Sequence, residues 1–600
     1  MSTQAERRAR RAARKAAGVF YTPEYIVDYI LQQTLANHDV VTNPVPKVLD
    51  PACGTGNFLI AAYDLLLHKF GEMLPLLRQY YADRKYMIHD GQTEVAIDGA
   101  AYWCRENLHY HLVRHCLYGA DIDAQAIAIA HGRLLDKCRE RPLYRPVPNL
   151  LLGDSLIKWE DSNKIPADIP MDAGQQRRLA DFWSCGYDFI VGNPPYVSFG
   201  LNRVGKMTVV QSDYLRANYP RSAQYKLSYY ALFLERSILA LNPGGYLGFI
   251  TPDSYLLGRY YSKIRQYILD TCRIHELTLA GSKVFSGVQV GIPVITVLSK
   301  GARRQQAHSD VLAVNKLNDS GKVTVTHQYS QNYFDHQAYN RFRLFFNAKD
   351  KGIIDTIEQA PNRFGDLTKI RTGMRSLTVQ AAIKSKNRQG DSWKQGVISS
   401  SQVLPFGIVY QGDWLDVTPA KLNKGGWDAA VIAGPKIFLR QTGDSLIAAV
   451  DNSGLYHLNN IHSLTVLDPG ICLDYLSCIL NSRLMNFYYH IVTLEKGRSM
   501  AQVDIETVEK LPLCIDRERA GLLAGLGRTL AQLVSRLCSL QRQQDNTTWL
   551  SDFTAVYHEM NQVVYHIYGL SADDVLYIEQ HTDSYWERYK ELKKPRGRQW

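Results

Sequence analysis

The sequence predicts an α/β protein: a doubly wound, mostly parallel sheet, followed by a mixed α/β domain and C-terminal helices. Three observations carry that expectation. Short apolar runs alternate with helical stretches over roughly 280 residues, as strands joined by crossover helices do. Gly54 and Gly56 lie between one such run and the next helix. Finally, Asp188-Phe-Ile-Val-Gly-Asn193-Pro-Pro-Tyr196 reads as a buried strand that two prolines cut short, leaving Asn193, Pro194, Pro195 and Tyr196 on a stiff loop at its C-terminal end. Open α/β sheets keep their chemistry at that end.

At 600 residues the chain needs more than one core. Hydrophobic content of 46% with 21% charged residues is ordinary for a globular protein. No run of about 18 apolar residues is present and no apolar stretch follows the basic N-terminus, so the expectation is a cytoplasmic protein without membrane span or signal peptide. Ten cysteines are scattered without a C-x-x-C pair, which suits reduced thiols and gives no metal site. Of the formal +11 charge, residues 1–17 and 588–600 each hold a net +5, leaving +1 for the rest. Each tail reads either as a solvated terminus or as a phosphate-contacting arm.

In chain order, residues 1–17 form the basic arm and the α/β domain occupies 18–302. Thr22 is an N-cap candidate with Pro23 at the first helical position, and Ile26, Tyr29 and Ile30 recur on one face. Pro46 to Ala62 runs strand, glycine turn, helix. A strand ends at Asp121, another at Asp154, and a helix carries Leu227, Tyr230, Leu234 and Ile238 up to Pro243-Gly-Gly245. Val290 to Leu298 reads as a closing edge strand, where Pro293 is tolerated. Residues 303–362 read as a linker or crossing segment, 363–515 as a second, mixed domain, 516–587 as a helical segment and 588–600 as a basic tail. Leu523, Leu526, Leu530, Leu533, Leu537 and Leu540 form a seam on one helix face that is too short for an independent coiled coil, so packing on the domain's own helices is expected.

Gly54 and Gly56 allow a tight turn and close approach of a ligand to main-chain N–H groups at a helix N-terminus, but they match neither a dinucleotide fingerprint nor a phosphate loop. Asp121 is placed to accept both hydroxyls of a ribose, with a helix cap as the alternative; Asp123 suits the cap. Asp154 is placed to accept from an adenine amino group, or is a turn residue. Such a set suits an adenosine ligand without phosphates. An exocyclic amine is a poor nucleophile because its lone pair is delocalised. The carbonyls of Asn193 and Pro194 would each accept one amino proton and localise that pair, with Tyr196 stacked on the base.

Asp50-Pro-Ala-Cys-Gly-Thr-Gly56 followed by Asn193-Pro-Pro-Tyr196 resembles the γ-class, TaqI-like S-adenosylmethionine-dependent DNA adenine-N6 methyltransferases, whose fold is a Rossmann-like methyltransferase sheet followed by a target-recognition domain. Tyr21-Thr22-Pro23 is similar to that family's first motif, which helps hold the methionine part of the cofactor. The resemblance implies cofactor contacts from Asp50, Ala52, Gly54, Gly56, Asp121, Ile122, Asp154, Ser155 and Asn193. It implies catalytic roles for Asn193, Pro194, Pro195 and Tyr196, and an aromatic at Phe285 facing the flipped adenine. It further implies S-adenosyl-L-methionine as cofactor, double-stranded DNA as partner, a monomer, and a separately encoded restriction endonuclease or defence proteins as associates. About 65 residues separate the glycine loop from Asp121 where a compact βαβ unit needs ~20, so an insertion at about 68–115 is expected. About 17 residues precede the first motif, so a nuclease fused ahead of it is not expected. Two other classes are weighed: a methyltransferase of protein glutamine amides, for which some 300 extra residues are unexpected, and a non-catalytic DNA-binding subunit, which the intact motifs disfavour.

Overall fold

In a computed structural model the chain divides into two units, 1–346 and 347–600. The structure describes residues 22–89, 94–138, 144, 146–166, 169, 172–199, 207–224, 227–280, 284, 292–301, 310–317, 323–345, 347–423, 432, 434–494, 496, 501–539 and 547–583. Among them no helix is long and apolar enough to cross a membrane. The basic arm, Tyr21, Phe285 and the 588–600 tail lie outside the described residues.

The first unit runs α1 (Glu24–Thr34), β1 (Val48–Asp50), α2 (Asn57–Tyr80), β2 (Lys85–His89), β3 (Glu94–Asp98), α3 (Arg105–His111), β4 (Leu117–Asp121), α4 (Ala124–Leu135), β5 (Asn149–Leu152), α5 (Ala173–Ser184) and β6 (Tyr187–Gly192). It continues with β7 (Ser198–Phe199), α6 (Val209–Asn218), β8 (Leu227–Ser228), α7 (Tyr229–Ala240), β9 (Leu241–Pro252), α8 (Ser262–Thr271), β10 (Cys272–Ala280), β11 (Pro293–Lys300), β12 (Asp310–Leu317) and β13 (Val323–Ser330). Nine strands form one sheet in the order β13-β12-β10-β11-β9-β6-β1-β4-β5. Strands β5, β4, β1, β6 and β9 are mutually parallel, and only β11 and β13 run against the rest. The chain builds outward from β1 through β4 to β5, then crosses back to lay β6 on the other side of β1. A doubly wound sheet binds its ligands at that reversal of strand order.

Two expectations need correction. Strand β11 is not an edge: it pairs antiparallel with β9 on one side and β10 on the other. Pro293 is tolerated because it opens the strand, and pairing with β10 begins only at Val294. Residues 303–362 are not a linker, since β12 and β13 extend the sheet and the division between units falls at 346/347. The polar text of Asp310–Ser330 concealed them because outlying strands need little apolar sequence; Val311 and Leu317 are nonetheless buried.

Helix α1 packs on β6, β9 and β11, burying Ile26, Val27, Ile30 and Leu31. Each such side chain contributes roughly 1.5–3 kcal/mol. The insertion between β1 and β4 consists of the second half of α2, the β2–β3 hairpin and α3 with the turn after it. Of its histidines, His111 is buried and His115 half-buried. His111 Nε2 donates to the Pro44 carbonyl at 2.6 Å, so its Nδ1 must accept from the Tyr102 hydroxyl, 2.8 Å away. Burial holds His111 down at about 3 and His115 at about 4. Both rings are therefore neutral when folded, yet protonate in the unfolded chain below about 6.5. Stability present above that pH is lost as it falls toward 3–4, and His111 alone forfeits about 2 kcal/mol by pH 5. The fall in melting temperature between pH 7.5 and 5 should be smaller in His111→Asn; an identical fall would place the proton uptake elsewhere.

The second unit holds α9 (Ala348–Glu358), β14 (Thr368–Thr372), β15 (Lys384–Ser385), β16 (Trp393–Val397), β17 (Trp414–Asp416), β18 (Lys436–Arg440), β19 (Ala448–Asp451), β20 (Tyr456–His457) and β21 (Ile461–Val466). Helices α10 (Leu473–Asn481), α11 (Arg483–Thr493), α12 (Ala520–Ser539), α13 (Thr547–Ile567) and α14 (Ala572–His581) follow. Two four-stranded sheets, β14-β21-β18-β19 and β15-β17-β16-β20, form its β part. The leucine seam lies on α12, where Leu523, Leu526, Leu530 and Leu533 are buried and the helix packs on α10 and α13. It is covered within its own unit, as its length predicts; Leu540 falls outside the described residues.

Candidate active site

Strand β1 delivers Asp50 to the switch point almost fully buried, with its Oδ1 accepting from the Ala52 N–H at 3.1 Å. The chain then turns through Gly54 and Gly56, at φ +52° and +84°. L-residues are strained there, so the two glycines are required by the backbone itself. Gly56 opens α2, and a Cβ placed on Gly54 would meet nothing within 4 Å, so the main chain at this turn is open to an approaching ligand.

Asp121, at the end of β4, braces the turn: its Oδ2 accepts from the Gly54 N–H at 2.8 Å and its Oδ1 from the Asp123 N–H at 2.9 Å. Asp123 is the cap of α4, accepting from the Gln125 N–H. The two roles that sequence left open for Asp121 are thereby divided, because the cap belongs to its neighbour. Ile122 between them is 75% exposed, an apolar side chain standing beside the glycine turn. Asp154, after β5, is exposed and closes a local turn onto the Leu156 N–H at 2.8 Å. Ser155 is buried, and its hydroxyl donates to the Pro51 carbonyl at 2.6 Å, stitching the β5 loop to the β1 loop.

These carboxylates act on one another. Burial pushes Asp50 up to about 8, and the charge of Asp121 adds to the rise. Asp121 is raised by burial and by Asp123. A site that crowds acids in this way favours a ligand carrying positive charge, which would bring both groups down again.

The Asn193 loop lies one strand away. Strand β6 pairs directly with β1, and a Cβ on Gly192 would come within 2.8 Å of Asp50 Oδ1. The glycine turn and the Asn193-Pro194-Pro195-Tyr196 loop therefore leave adjacent strands side by side. Asn193 donates from Nδ2 to the Thr22 hydroxyl at 3.0 Å, which turns the amide so that its carbonyl oxygen points away from Thr22. Thr22 is consequently not the N-cap expected of it: Pro23 holds that position without a side-chain bond, and the threonine hydroxyl accepts from Asn193 instead. Pro194 is buried, Pro195 half-buried, and Tyr196, also half-buried, anchors its hydroxyl on the Ile250 carbonyl of β9 at 3.2 Å. No sequence signal marked the Thr22–Asn193 bond, whose partners are 171 positions apart. Tyr21 and Phe285, outside the described residues, are not placed, although the adjoining Val284 packs on the core beneath α1.

With this geometry in hand, comparison with known proteins defines the class. The chain matches the N-6 DNA methylase model over residues 6–143, the Eco57I restriction-modification methylase model over 115–285 and the TaqI-like C-terminal specificity domain over 397–513. Along successive stretches it is thus similar to N6-adenine DNA methylases and to a TaqI-like C-terminal specificity domain. It is similar to the type II restriction enzyme and methyltransferase RM.Eco57I of Escherichia coli, 26% identical across 44% of this chain and 26% of that protein. It is also similar to the type II methyltransferase M.BstVI of Geobacillus stearothermophilus, 24% identical across 47% of this chain and 42% of that one. The match thus spans less than half the length of either curated relative. Among solved structures, the type IIL restriction-modification enzyme MmeI in complex with DNA shares the fold, with TM-score 0.55 at 14% identity over 94% of this chain and 76% of that one.

Proposed function

We propose that the chain transfers a methyl group from S-adenosylmethionine to N6 of an adenine flipped out of duplex DNA, as the modification component of a restriction-modification or phage-defence system. The observation that carries this reading is the amide of Asn193, clamped by Thr22 at the end of the strand next to the glycine turn. The DNA-bound MmeI neighbour and the specificity-domain match support DNA as the acceptor.

The residues present fit the cofactor. A sulfonium ligand with an adenosine half asks for carboxylates rather than phosphate-binding cations, and Asp50, Asp121 and Asp154 supply them around an open glycine turn. Asp121 would take the ribose hydroxyls, Asp154 the purine amine, and exposed Ile122 would cover the purine face. Thr22 and Pro23, with Tyr21 ahead of them, would serve the methionine half. When bound, the cofactor supplies an electrophilic methyl carbon.

The acceptor loop then treats the target amine. Asn193 Oδ1 and the Pro194 carbonyl each accept a hydrogen bond from the amino group, drawing the lone pair out of the ring and onto nitrogen, and the proton that N6 loses once methylated passes to solvent. Tyr196, its hydroxyl fixed to β9, provides a half-exposed ring for the base to stack on. Within a duplex N6 is inaccessible, so the base must leave the stack. Separation of the two loops onto neighbouring strands lets one hold donor and the other acceptor without either crossing a side-chain base.

The test is incubation with labelled S-adenosylmethionine and, in parallel, unmethylated DNA and a protein lysate. Label recovered as N6-methyladenine is expected; label in protein alone would sink the reading.

A further inference from the structure

Asp154 stands on a loop whose carbonyls are held by side chains as well as by its own backbone. Its own carbonyl accepts from Trp159 Nε1 at 2.8 Å, the Leu156 carbonyl from the Tyr219 hydroxyl at 2.7 Å, and the Ser155 carbonyl from Arg236 Nε at 3.0 Å. Arg236, midway along α7, is only 2% exposed. Its guanidinium forks onto Glu160 at 2.5 and 2.8 Å and lies 4.1 Å above the Trp183 ring. One planar cation thus grips the loop at three points, the Ser155 carbonyl, the Ile157 carbonyl at 3.4 Å and the Glu160 carboxylate, while the tryptophan fixes its plane. A lysine could not do this, because an ammonium is a point charge without a fork.

The same helix is tied to the acceptor loop. The Tyr229 N–H, at the start of α7, donates to the Val197 carbonyl at 2.9 Å, immediately after Tyr196. Ser228 Oγ bonds Ser198 Oγ at 2.8 Å. Next to Arg236, fully buried Glu235 accepts from both the N–H and the hydroxyl of Ser222, at 2.8 and 2.7 Å. So α7 is fastened at its start to the segment after Tyr196 and, two turns later, to the loop bearing Asp154.

From this geometry we infer that Arg236 is a positioning residue for the adenosine half of the cofactor, holding the Asp154 loop in place against α7. The inference rests on the functional reading above. It touches no reacting atom, so its signature is a loss of adenosine-directed affinity with the transfer step intact.

The experiment uses the full chain and measures calorimetric Kd for S-adenosylmethionine and for adenosine alone, together with kcat at saturating cofactor. Arg236→Lys should weaken both ligands by the same factor, about tenfold, with kcat within twofold of the unaltered chain. Tyr219→Phe deletes one loop bond and no charge; it should weaken both about threefold, and it decides the matter if Arg236→Lys does not fold. Unchanged Kd in the folded variants overturns the proposal, as does an equal loss of kcat and affinity, which would mark a merely structural residue. If the unaltered chain binds neither ligand, the functional reading falls instead.

Discussion

Replacing Asn193 with alanine should lower methyl transfer by about 10²–10³-fold, the scale on which one preorganised hydrogen-bonding partner acts in a transition state. Affinity for S-adenosylmethionine should stay within about threefold. The argument is one of position: Asn193 leaves β6, whereas the turn, Asp121 and Asp154, which we propose face the adenosine half, leave β1, β4 and β5. Loss of the 3.0 Å bond to Thr22 costs about 1 kcal/mol of stability, too little to unfold a chain of this size. Single-turnover rates and calorimetric affinities measured on the same preparation separate the two effects. An equal fall in both would make the loop a structural element.

Asp121→Ala should do the reverse, weakening the cofactor about 100-fold or more while kcat at saturation changes little. Two losses combine. The ribose loses a charged acceptor, worth about 1.5–3 kcal/mol per hydrogen bond, and the Gly54 N–H loses the carboxylate that holds the turn open. Asp121→Asn separates them, since an amide oxygen can still accept from Gly54 while the charge is gone. Affinity unchanged in Asp121→Asn and reduced in Asp121→Ala would confine Asp121 to bracing the backbone.

Local sequence made one side of the site readable. A strand that stops at Asp50, glycines with no alternative to a left-handed turn, and prolines that end β6 are all decisions taken within a few residues, so periodicity and turn chemistry expose them. Strand β11 was legible as a strand but not as an interior one, because pairing partners are a property of the sheet and Pro293 suits either a strand's first residue or an edge. Strands β12 and β13, the last two at one side of the sheet with β13 at its edge, were hidden by polar composition. Thr22 was misassigned for a related reason. Its place before Pro23 fits an N-cap, and nothing nearby in sequence reveals that Asn193 takes its hydroxyl. Arg236 and Glu235 gave no signal at all, since a helix with two adjacent buried charges looks like a helix with one solvated face.

The bonds that assemble the site also differ in the length of chain each must close. Gly54 to Asp121 encloses 67 residues, Ser155 to Pro51 104, and Asn193 to Thr22 171. Closure entropy grows with the logarithm of loop length, so the last contact starts about 1 kcal/mol behind the first. A chain emerging from the unfolded ensemble can shape the glycine turn and its Asp121 brace from the early strands alone. The amide that would act on the base acquires its orientation only when β6 has docked and the far N-terminal threonine has come home to it.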